Sequence, residues 1–325
     1  MPSQRRRAVI DIGTNSVKLL VAEVAGLSVQ PLWEDSKQTR LGEGFYETHR
    51  LQPEPIAKTA TAVRKFAETA REWEATSIRV IATSAAREAV NPHDLTAAVH
   101  QASGLRLEII SGDQEADWVF QGVTTDLELA KHPLLLLDVG GGSTEFILGH
   151  GMQKSFRHSF ALGTVRLLEN TPLSDPPAAA ELAACRRWLQ NFLRAEVRPK
   201  MEAGFSAEKK FDPAQQLVQF VGTGGTASIL ARMEARLEEY DRARIEATRL
   251  TLDQIREHLQ RLWSLPLAQR REIIGLPRKR ADVILPGVAI YAAVMEEFGL
   301  DVLRVSTRGL RFAAVMDGTG NNQPT

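Results

Sequence analysis

The sequence predicts an α/β protein of two domains, each built on its own mixed β-sheet. Three observations carry this prediction: the length of the chain, an internal repeat, and an alternation of strand-like and helix-like segments. At 325 residues the chain is too long for one ordinary hydrophobic core and suits two. Hydrophobic residues make up 43% and charged residues 25% of it, which is typical of a soluble globular protein.

A ten-residue motif occurs twice in the chain. The segment Asp11–Leu20 (DIGTNSVKLL) returns 127 residues later as Asp138–Ile147 (DVGGGSTEFI), with Asp, Gly and Ser in register. Each copy lies between apolar residues, a pattern typical of a β-hairpin with a glycine-rich turn. Small residues at such a turn let backbone N–H groups approach an anion closely. The repeat therefore predicts two related phosphate-binding hairpins, and a duplicated scaffold without a ligand is the alternative.

A third glycine-rich turn, Thr223–Thr226, follows an apolar run at 217–222 and precedes a helical pattern from Ala227. A strand, a tight turn and a helix start in this order favour phosphate at the N-terminus of the helix. Elsewhere, helix-like and strand-like patterns alternate, which indicates helices layered on mixed sheets. The predicted helices are 56–73, 94–103, 113–123, 178–197, several between 227 and 298, and one from 309; the predicted strands are 78–82, 105–110 and 302–305.

The boundary between the domains is expected near 126–133, just before the second copy of the motif. We assign residues 1–127 to the first domain and 128–302 to the second. The end of the chain, 319–325, is rich in Gly, Asn and Thr and is expected to be a flexible tail.

Composition limits the classes of function. Basic and acidic residues both number 40, and this zero formal net charge argues against nucleic acid as a partner. No apolar run reaches the roughly 18–20 residues of a membrane span, and the N-terminus lacks a signal-peptide pattern. The single cysteine, Cys185, excludes an internal disulfide and a multi-cysteine zinc site. These observations predict a cytoplasmic enzyme with no membrane partner.

Transfer of a phosphoryl group to water needs donors for the phosphate oxygens, a cation, and an oriented water molecule. The two hairpin turns offer such donors: Gly13, Thr14, Asn15, Ser16, Gly140, Gly141, Gly142, Ser143 and Thr144. Three acidic residues of the repeats, Asp11, Asp138 and Glu145, offer hard oxygen ligands for Mg²⁺ or Mn²⁺. A single acidic residue at a strand end usually only shapes a turn, but three in related loops favour a metal site.

Glu115 and Arg87 are the candidates for the chemistry itself. Glu115 lies in the first turn of a predicted helix, after a strand that ends at Ile110. A carboxylate there complements the helix dipole, and this structural role is the alternative to a catalytic one. The catalytic role is kept because α/β folds place their ligands at the carboxyl ends of strands. Arg87 follows another predicted strand and suits a bidentate phosphate contact.

Together these motifs resemble the exopolyphosphatase and guanosine pentaphosphate phosphatase family. The resemblance runs from residue 8 to about residue 315. It rests on the segments 9–16 (VIDIGTNS), 40–44 (RLGEG), 83–89 (TSAAREA), 110–116 (ISGDQEA), 138–145 (DVGGGSTE), 280–287 (RADVILPG) and 306–311 (STRGLR). It implies two actin-like, ribonuclease H-like domains of the acetate kinase/Hsp70/actin superfamily with a central cleft, and a segment of about 303–318 that packs back onto the first domain.

The resemblance also implies Mg²⁺-dependent hydrolysis of the terminal phosphoanhydride of inorganic polyphosphate. Glu115 matches the proposed general base of the family, Arg87 a phosphate-contacting arginine, and Asp138 and Glu145 the acidic residues of its second phosphate loop. Hydrolysis of pppGpp at its 5′ end, a superfamily kinase and a non-catalytic sensor stay open as alternatives. This chain has Gln114 where the family commonly has a glutamate, and it lacks the extra C-terminal helical region of the long members. Whether the protein binds long polyphosphate chains, and whether it forms a homodimer, are therefore left open.

Overall fold

The computed structural model describes residues 5–205 and 218–317, and these fall into two compact units. The first unit holds the described residues within Met1–Thr125 and Arg308–Thr325, and the second holds those within Asp126–Thr307. The return to the first unit begins at Arg308 rather than at about 303, because Val302–Val305 is a strand of the second sheet. The predicted tail, 319–325, lies outside the described residues.

The secondary structure of the described residues alternates strands and helices along the chain. The strands are β1 Arg5–Ile12, β2 Ser16–Ala25, β3 Ser28–Gln38, β4 Ser77–Ala82, β5 Leu107–Ile109, β6 Pro133–Val139, β7 Thr144–His150, β8 Gln153–Phe160, β9 Gln219–Thr223, β10 Arg249–Thr251 and β11 Val302–Val305. The helices are α1 Pro53–Glu72, α2 Ser84–Glu88, α3 Pro92–Ser103, α4 Gly112–Val123, α5 Leu127–Ala130, α6 Thr164–Asn170, α7 Ala179–Phe192, α8 Arg198–Phe205, α9 Gly224–Glu234, α10 Arg242–Ala247, α11 Leu252–Ser264, α12 Leu267–Arg270, α13 Ile284–Phe298 and α14 Leu310–Met316.

The sheet of the first unit has five strands in the order β3-β2-β1-β4-β5. Strands β1 and β2 form the first predicted hairpin, while β4 runs parallel to β1 and β5 parallel to β4. The C-terminal helix α14 packs against α4, and Gly309, the N-cap residue of α14, lies directly against Gly122 of α4. A Cβ on Gly122 would lie only 2.0 Å from the carbonyl oxygen of Gly309. The C-terminal segment that rejoins the first unit therefore packs against α4, the helix that carries Glu115.

The sheet of the second unit has six strands in the order β10-β11-β9-β6-β7-β8. Strands β6 and β7 form the second predicted hairpin, β9 runs parallel to β6, and β11 runs parallel to β9. The series β8-β7-β6-β9-β11 therefore repeats the topology of the first sheet, with β10 added at its edge. Helix α13 is buried from Ile284 to Met295 because its sequence is apolar all round. The predicted α/β fold with a mixed sheet in each half is confirmed.

The elements that escaped prediction include three strands, the short helices α5 and α6, and one helix irregularity. Strand β3 has mostly exposed polar residues and contains Pro31, and β10 has three residues, so neither shows the pattern of a buried strand. Strand β8, which pairs with β7 beside the second hairpin, was missed for a similar reason, since most of it is only partly buried. The helix predicted over 178–197 is interrupted after Phe192 by a π-helical stretch, Leu193–Val197, before α8 continues.

Candidate active site

The turn between β1 and β2 carries the first set of predicted phosphate ligands. It is closed by a hydrogen bond from the Gly13 N–H to the Ser16 carbonyl, at 3.0 Å. Thr14, Asn15 and Ser16 are all buried. Within the described residues, the buried Asn15 Nδ2 and Ser16 Oγ atoms have no hydrogen-bond partner. Buried polar groups left in this state are costly, so the turn gains from a ligand that is rich in acceptor oxygens.

A loop that follows β3 supports this turn from behind. The Asn15 carbonyl accepts the N–H groups of Thr39 at 3.2 Å and of Arg40 at 3.0 Å. The Gly42 N–H donates to the Thr14 carbonyl at 2.8 Å, and a Cβ on Gly42 would lie 2.3 Å from the Thr14 Cγ2 atom. Glycine is therefore required for the approach of this loop. The segment 40–44 entered the sequence analysis only through the family resemblance, and the structure supplies its physical role.

Asp11 precedes the first turn near the end of β1 and is only 8% exposed. Its Oδ1 atom is buried and has no hydrogen-bond partner among the described residues. Burial raises the pKa of Asp11, and the positive charges of Lys18 and Arg311 oppose this rise. Lys18 lies directly opposite Asp11 in the β1–β2 ladder. A buried carboxylate oxygen without a donor fits the predicted role of Asp11 as a cation ligand.

The structure brings Glu115 and Arg87 together. Glu115 lies in the first turn of α4, whose N-cap residue Ser111 accepts the Gln114 N–H at 3.1 Å through its hydroxyl. The Arg87 Nη1 atom lies 2.9 Å from the Glu115 Oε2 atom and also donates to the Ile110 carbonyl, at 3.2 Å. The side chains of Arg87 and Glu115 are 22% and 11% exposed. Arg87 therefore fixes the carboxylate of Glu115, and its contact with a phosphate stays a prediction.

The turn between β6 and β7 repeats the geometry of the first. The Gly140 N–H donates to the Ser143 carbonyl at 2.9 Å, the counterpart of the bond between Gly13 and Ser16. The Gly140 carbonyl accepts the Thr164 N–H at the start of α6, and the Arg166 Nε atom donates to the Gly142 carbonyl at 2.8 Å. The Gly141 carbonyl is bonded to the same helix end. An approaching anion therefore meets less repulsion, because the carbonyl groups of the three glycines are engaged within the protein.

Asp138 and Glu145 are direct partners in the β6–β7 ladder. Paired residues of antiparallel strands place their side chains on the same face of the sheet, so the two acidic residues are neighbours. Glu145 is 1% exposed, and the Ser159 hydroxyl of β8 donates to its Oε1 atom at 2.7 Å. Ser159 was missed by the sequence analysis, because it belongs to no motif and its strand was not predicted.

The third glycine turn lies beside Asp138. Strand β9 ends at Thr223 and α9 begins at Gly224, which confirms the predicted order of strand, turn and helix. A Cβ on Gly224 would lie 2.1 Å from the Asp138 Oδ1 atom, so only glycine leaves room for this carboxylate. Beneath the turn, the hydroxyl of Tyr291 lies 3.2 Å from the Leu137 carbonyl and 3.4 Å from that of Thr223. Burial and the charge of Asp138 raise the pKa of Tyr291 well above its usual range.

The predicted metal ligands can be tested against the geometry of each unit. In the part of the chain that the structure describes, no three His, Cys, Asp or Glu side chains form a ready metal cage. Mg²⁺ does not need one, because it keeps several waters and is commonly bound by one or two carboxylates together with substrate phosphates. In the first unit, the buried Asp11 Oδ1 atom, which has no partner among the described residues, fits that mode of binding. In the second, the adjacent pair Asp138 and Glu145 fits it.

Comparison with known proteins gives consistent results. The model of the Ppx/GppA phosphatase family matches residues 20–319. The protein named Exopolyphosphatase 2 from Mycobacterium tuberculosis is 35% identical over 315 residues, which cover 93% of this chain and 94% of that one. Among helices of residues 5–205 and 218–317, none is long and apolar enough to span a bilayer.

Two crystal structures extend the comparison. The Ppx/GppA family member of Aquifex aeolicus is 29% identical, with 97% of each chain covered and a TM-score of 0.76. An exopolyphosphatase from Cytophaga hutchinsonii is 24% identical and covers 95% of this chain and 96% of its own, with a TM-score of 0.82; at that identity it supports the fold alone. The chain belongs to the Ppx/GppA phosphatase family, as the family model, these relatives and the duplicated hairpins together show.

Proposed function

We propose that this protein hydrolyses the terminal phosphoanhydride bond of inorganic polyphosphate and releases orthophosphate. The observation that carries the proposal is the partly buried pair of Glu115 and Arg87, in which a guanidinium 2.9 Å away fixes a carboxylate. A held carboxylate is what a water-activating base requires. The 35% identity to a protein named Exopolyphosphatase 2 supports polyphosphate as the substrate, and composition supports the cytoplasm as the location.

In the proposed reaction, the Glu115 carboxylate accepts a proton from a water molecule as the water oxygen attacks the terminal phosphorus. The bond between that phosphorus and the bridging oxygen breaks, and the shortened polyphosphate leaves with the bridging oxygen. Arg87 keeps the carboxylate in place through its bond to the Oε2 atom. The turn at 13–16 in the first unit and the turn at 140–144 in the second each offer backbone N–H groups and hydroxyls to phosphate groups.

We propose Mg²⁺ or Mn²⁺ as the cofactor. Each unit offers hard carboxylate oxygens as ligands, from Asp11 in the first unit and from Asp138 and Glu145 in the second. The bound ion would neutralise charge on the phosphate oxygens.

The test is the release of orthophosphate from polyphosphates of several lengths with Mg²⁺, with pppGpp and ATP assayed in parallel. The variant Glu115→Gln should lose about 10²- to 10⁴-fold in kcat, the usual contribution of a general base. Asp113→Asn is the matched control, because Asp113 is the other acidic residue in the first turn of α4. If both variants lost activity equally, Glu115 would only complement the helix dipole. Release from pppGpp alone would make that nucleotide the substrate in place of polyphosphate.

A further inference from the structure

Gln38 lies outside every sequence motif, yet it contacts the first phosphate turn. It is the last residue of β3 and is paired with Ser16 in the β2–β3 ladder. Its Nε2 atom donates to the Asn15 Oδ1 atom at 3.1 Å. Asn15 is only 5% exposed, and within the described residues its buried Nδ2 atom has no hydrogen-bond partner.

A side-chain amide has an acceptor end and a donor end, and its rotation by half a turn exchanges them. The bond from Gln38 engages the acceptor end of Asn15. The NH₂ group of Asn15 is then left to donate to a ligand, and an anion requires such a donor. With the amide reversed, the lone pairs of Oδ1 would face the anion, and a bond would become a repulsion.

The backbone of Asn15 is held independently of its side chain. Its carbonyl accepts two N–H groups, from Thr39 and Arg40, which directly follow Gln38. The rotation of the side-chain amide is therefore the main adjustable feature of Asn15. The neighbouring Ser16 Oγ atom is also buried without a partner in the described part of the chain, so the turn presents two polar groups to one ligand.

We infer that Gln38 is a positioning residue for phosphate binding, which acts by holding the Asn15 amide with its NH₂ group toward the bound phosphate. The inference rests on the proposed function, since it assumes that the first turn binds the phosphates of polyphosphate. It adds a determinant that lies 22 residues beyond the turn and carries no charge.

The decisive variant is Gln38→Glu, because a carboxylate can only accept a hydrogen bond from Asn15. The Asn15 amide then turns its NH₂ group toward the new carboxylate and its carbonyl toward the ligand. We expect the KM for polyphosphate to rise by about tenfold or more, the usual effect of one lost bond to a charged group. Gln38→Met removes the bond without reversing the amide, so its KM should rise less.

The same substitution in an Asn15→Leu background distinguishes an effect through Asn15 from a direct effect of the added charge on the ligand. If Gln38 acts through Asn15, Gln38→Glu has little further effect once the amide is gone, and the two changes are not additive. A loss that persists in the Asn15→Leu background would overturn the inference, since the new charge would then act on the ligand itself. An unchanged KM in Gln38→Glu, with thermal melting that shows a folded protein, would overturn it as well.

A binding measurement distinguishes the failure of this inference from the failure of the proposed function. Calorimetric titration of the Glu115→Gln variant with inorganic triphosphate reports on the turn without turnover. If Gln38→Glu weakens this binding by about tenfold while the wild-type protein releases no phosphate from polyphosphate, the positioning role stands and the proposed substrate is wrong. If triphosphate binds equally well with and without Gln38→Glu, the positioning role is wrong.

Discussion

The substitution Gly224→Ala tests whether the position of Asp138 matters for activity. Gly224 has a φ angle of 81°, in the region that glycine adopts without cost. A Cβ there would lie 2.1 Å from the Asp138 Oδ1 atom and 3.2 Å from its Cγ atom. Non-bonded carbon atoms settle at about 3.5–4.0 Å, so the carboxylate has to move by about 1 Å or more.

Two effects of this substitution can be separated by a control. The left-handed backbone costs an alanine about 1–2 kcal/mol in stability, whatever surrounds it. Gly151, in the turn between β7 and β8, has a φ angle of 61° and nothing within 4 Å of the position of a Cβ. Gly151→Ala therefore carries the backbone cost alone. A misplacement of about 1 Å at a reacting centre can cost on the order of 100-fold in rate, so Gly224→Ala should lose roughly that factor in kcat/KM.

The assay combines the initial rate of orthophosphate release with urea unfolding of both variants. We expect similar losses in the free energy of unfolding, but a large loss of activity only in Gly224→Ala. If the activity of Gly224→Ala stayed within about threefold of that of Gly151→Ala, the reasoning would be refuted, because displacement of the carboxylate should cost far more. Asp138 would then be a structural residue of the turn.

Two further predictions follow from buried ionisable groups. Burial raises the pKa of Asp11 above its usual 3.8, so its ionisation weakens the folded state as pH rises from 3.8 through the raised value. Asp11→Asn should therefore stabilise the metal-free protein at neutral pH, and thermal melting should show this advantage shrinking toward pH 4; an advantage independent of pH would contradict the assignment. The pKa of Tyr291 is also raised, so stability that is present below pH 10 should fall as pH rises above it. Tyr291→Phe should lose about 1 kcal/mol in urea unfolding at neutral pH, and it should also lack this alkaline fall.

Local sequence patterns predicted the parts of the fold that local forces determine. The two hairpins could be predicted because each copy places apolar strands around a glycine-rich turn, and the ladders bring Asp11 opposite Lys18 and Asp138 opposite Glu145. The third turn was predicted for the same reason. Edge strand β3 could not be predicted, because its polar residues face solvent on both sides and its pairing with β2 is decided by the hairpin already in place.

The contacts that stabilise the candidate site join residues that are far apart in the sequence. Arg87 and Glu115 are 28 residues apart, and Gln38 and Asn15 are 23 apart. The parallel pairing of β4 with β5 brings the first pair together, and the pairing of β2 with β3 brings the second. Ser159 reaches Glu145 across the β7–β8 pair, and no feature of the sequence distinguishes it from an ordinary surface serine. Motifs therefore supplied the predicted substrate-contacting residues and Arg87, whereas Gln38 and Ser159, which contact two of these residues, became visible only in the structure.

The duplicated hairpins have also diverged at one position that bears on the cation. In the first hairpin, the residue opposite Asp11 is Lys18, which supplies a positive charge within the protein. In the second, the residue at the same position of the repeat is Glu145, which places a second acidic side chain beside Asp138. Like charges directly opposite one another in a ladder are unfavourable, and the Ser159 hydroxyl donates to the Oε1 atom of Glu145. If the proposed divalent cation binds beside this pair, it would offset the repulsion, whereas in the first hairpin Lys18 already places a positive charge opposite Asp11.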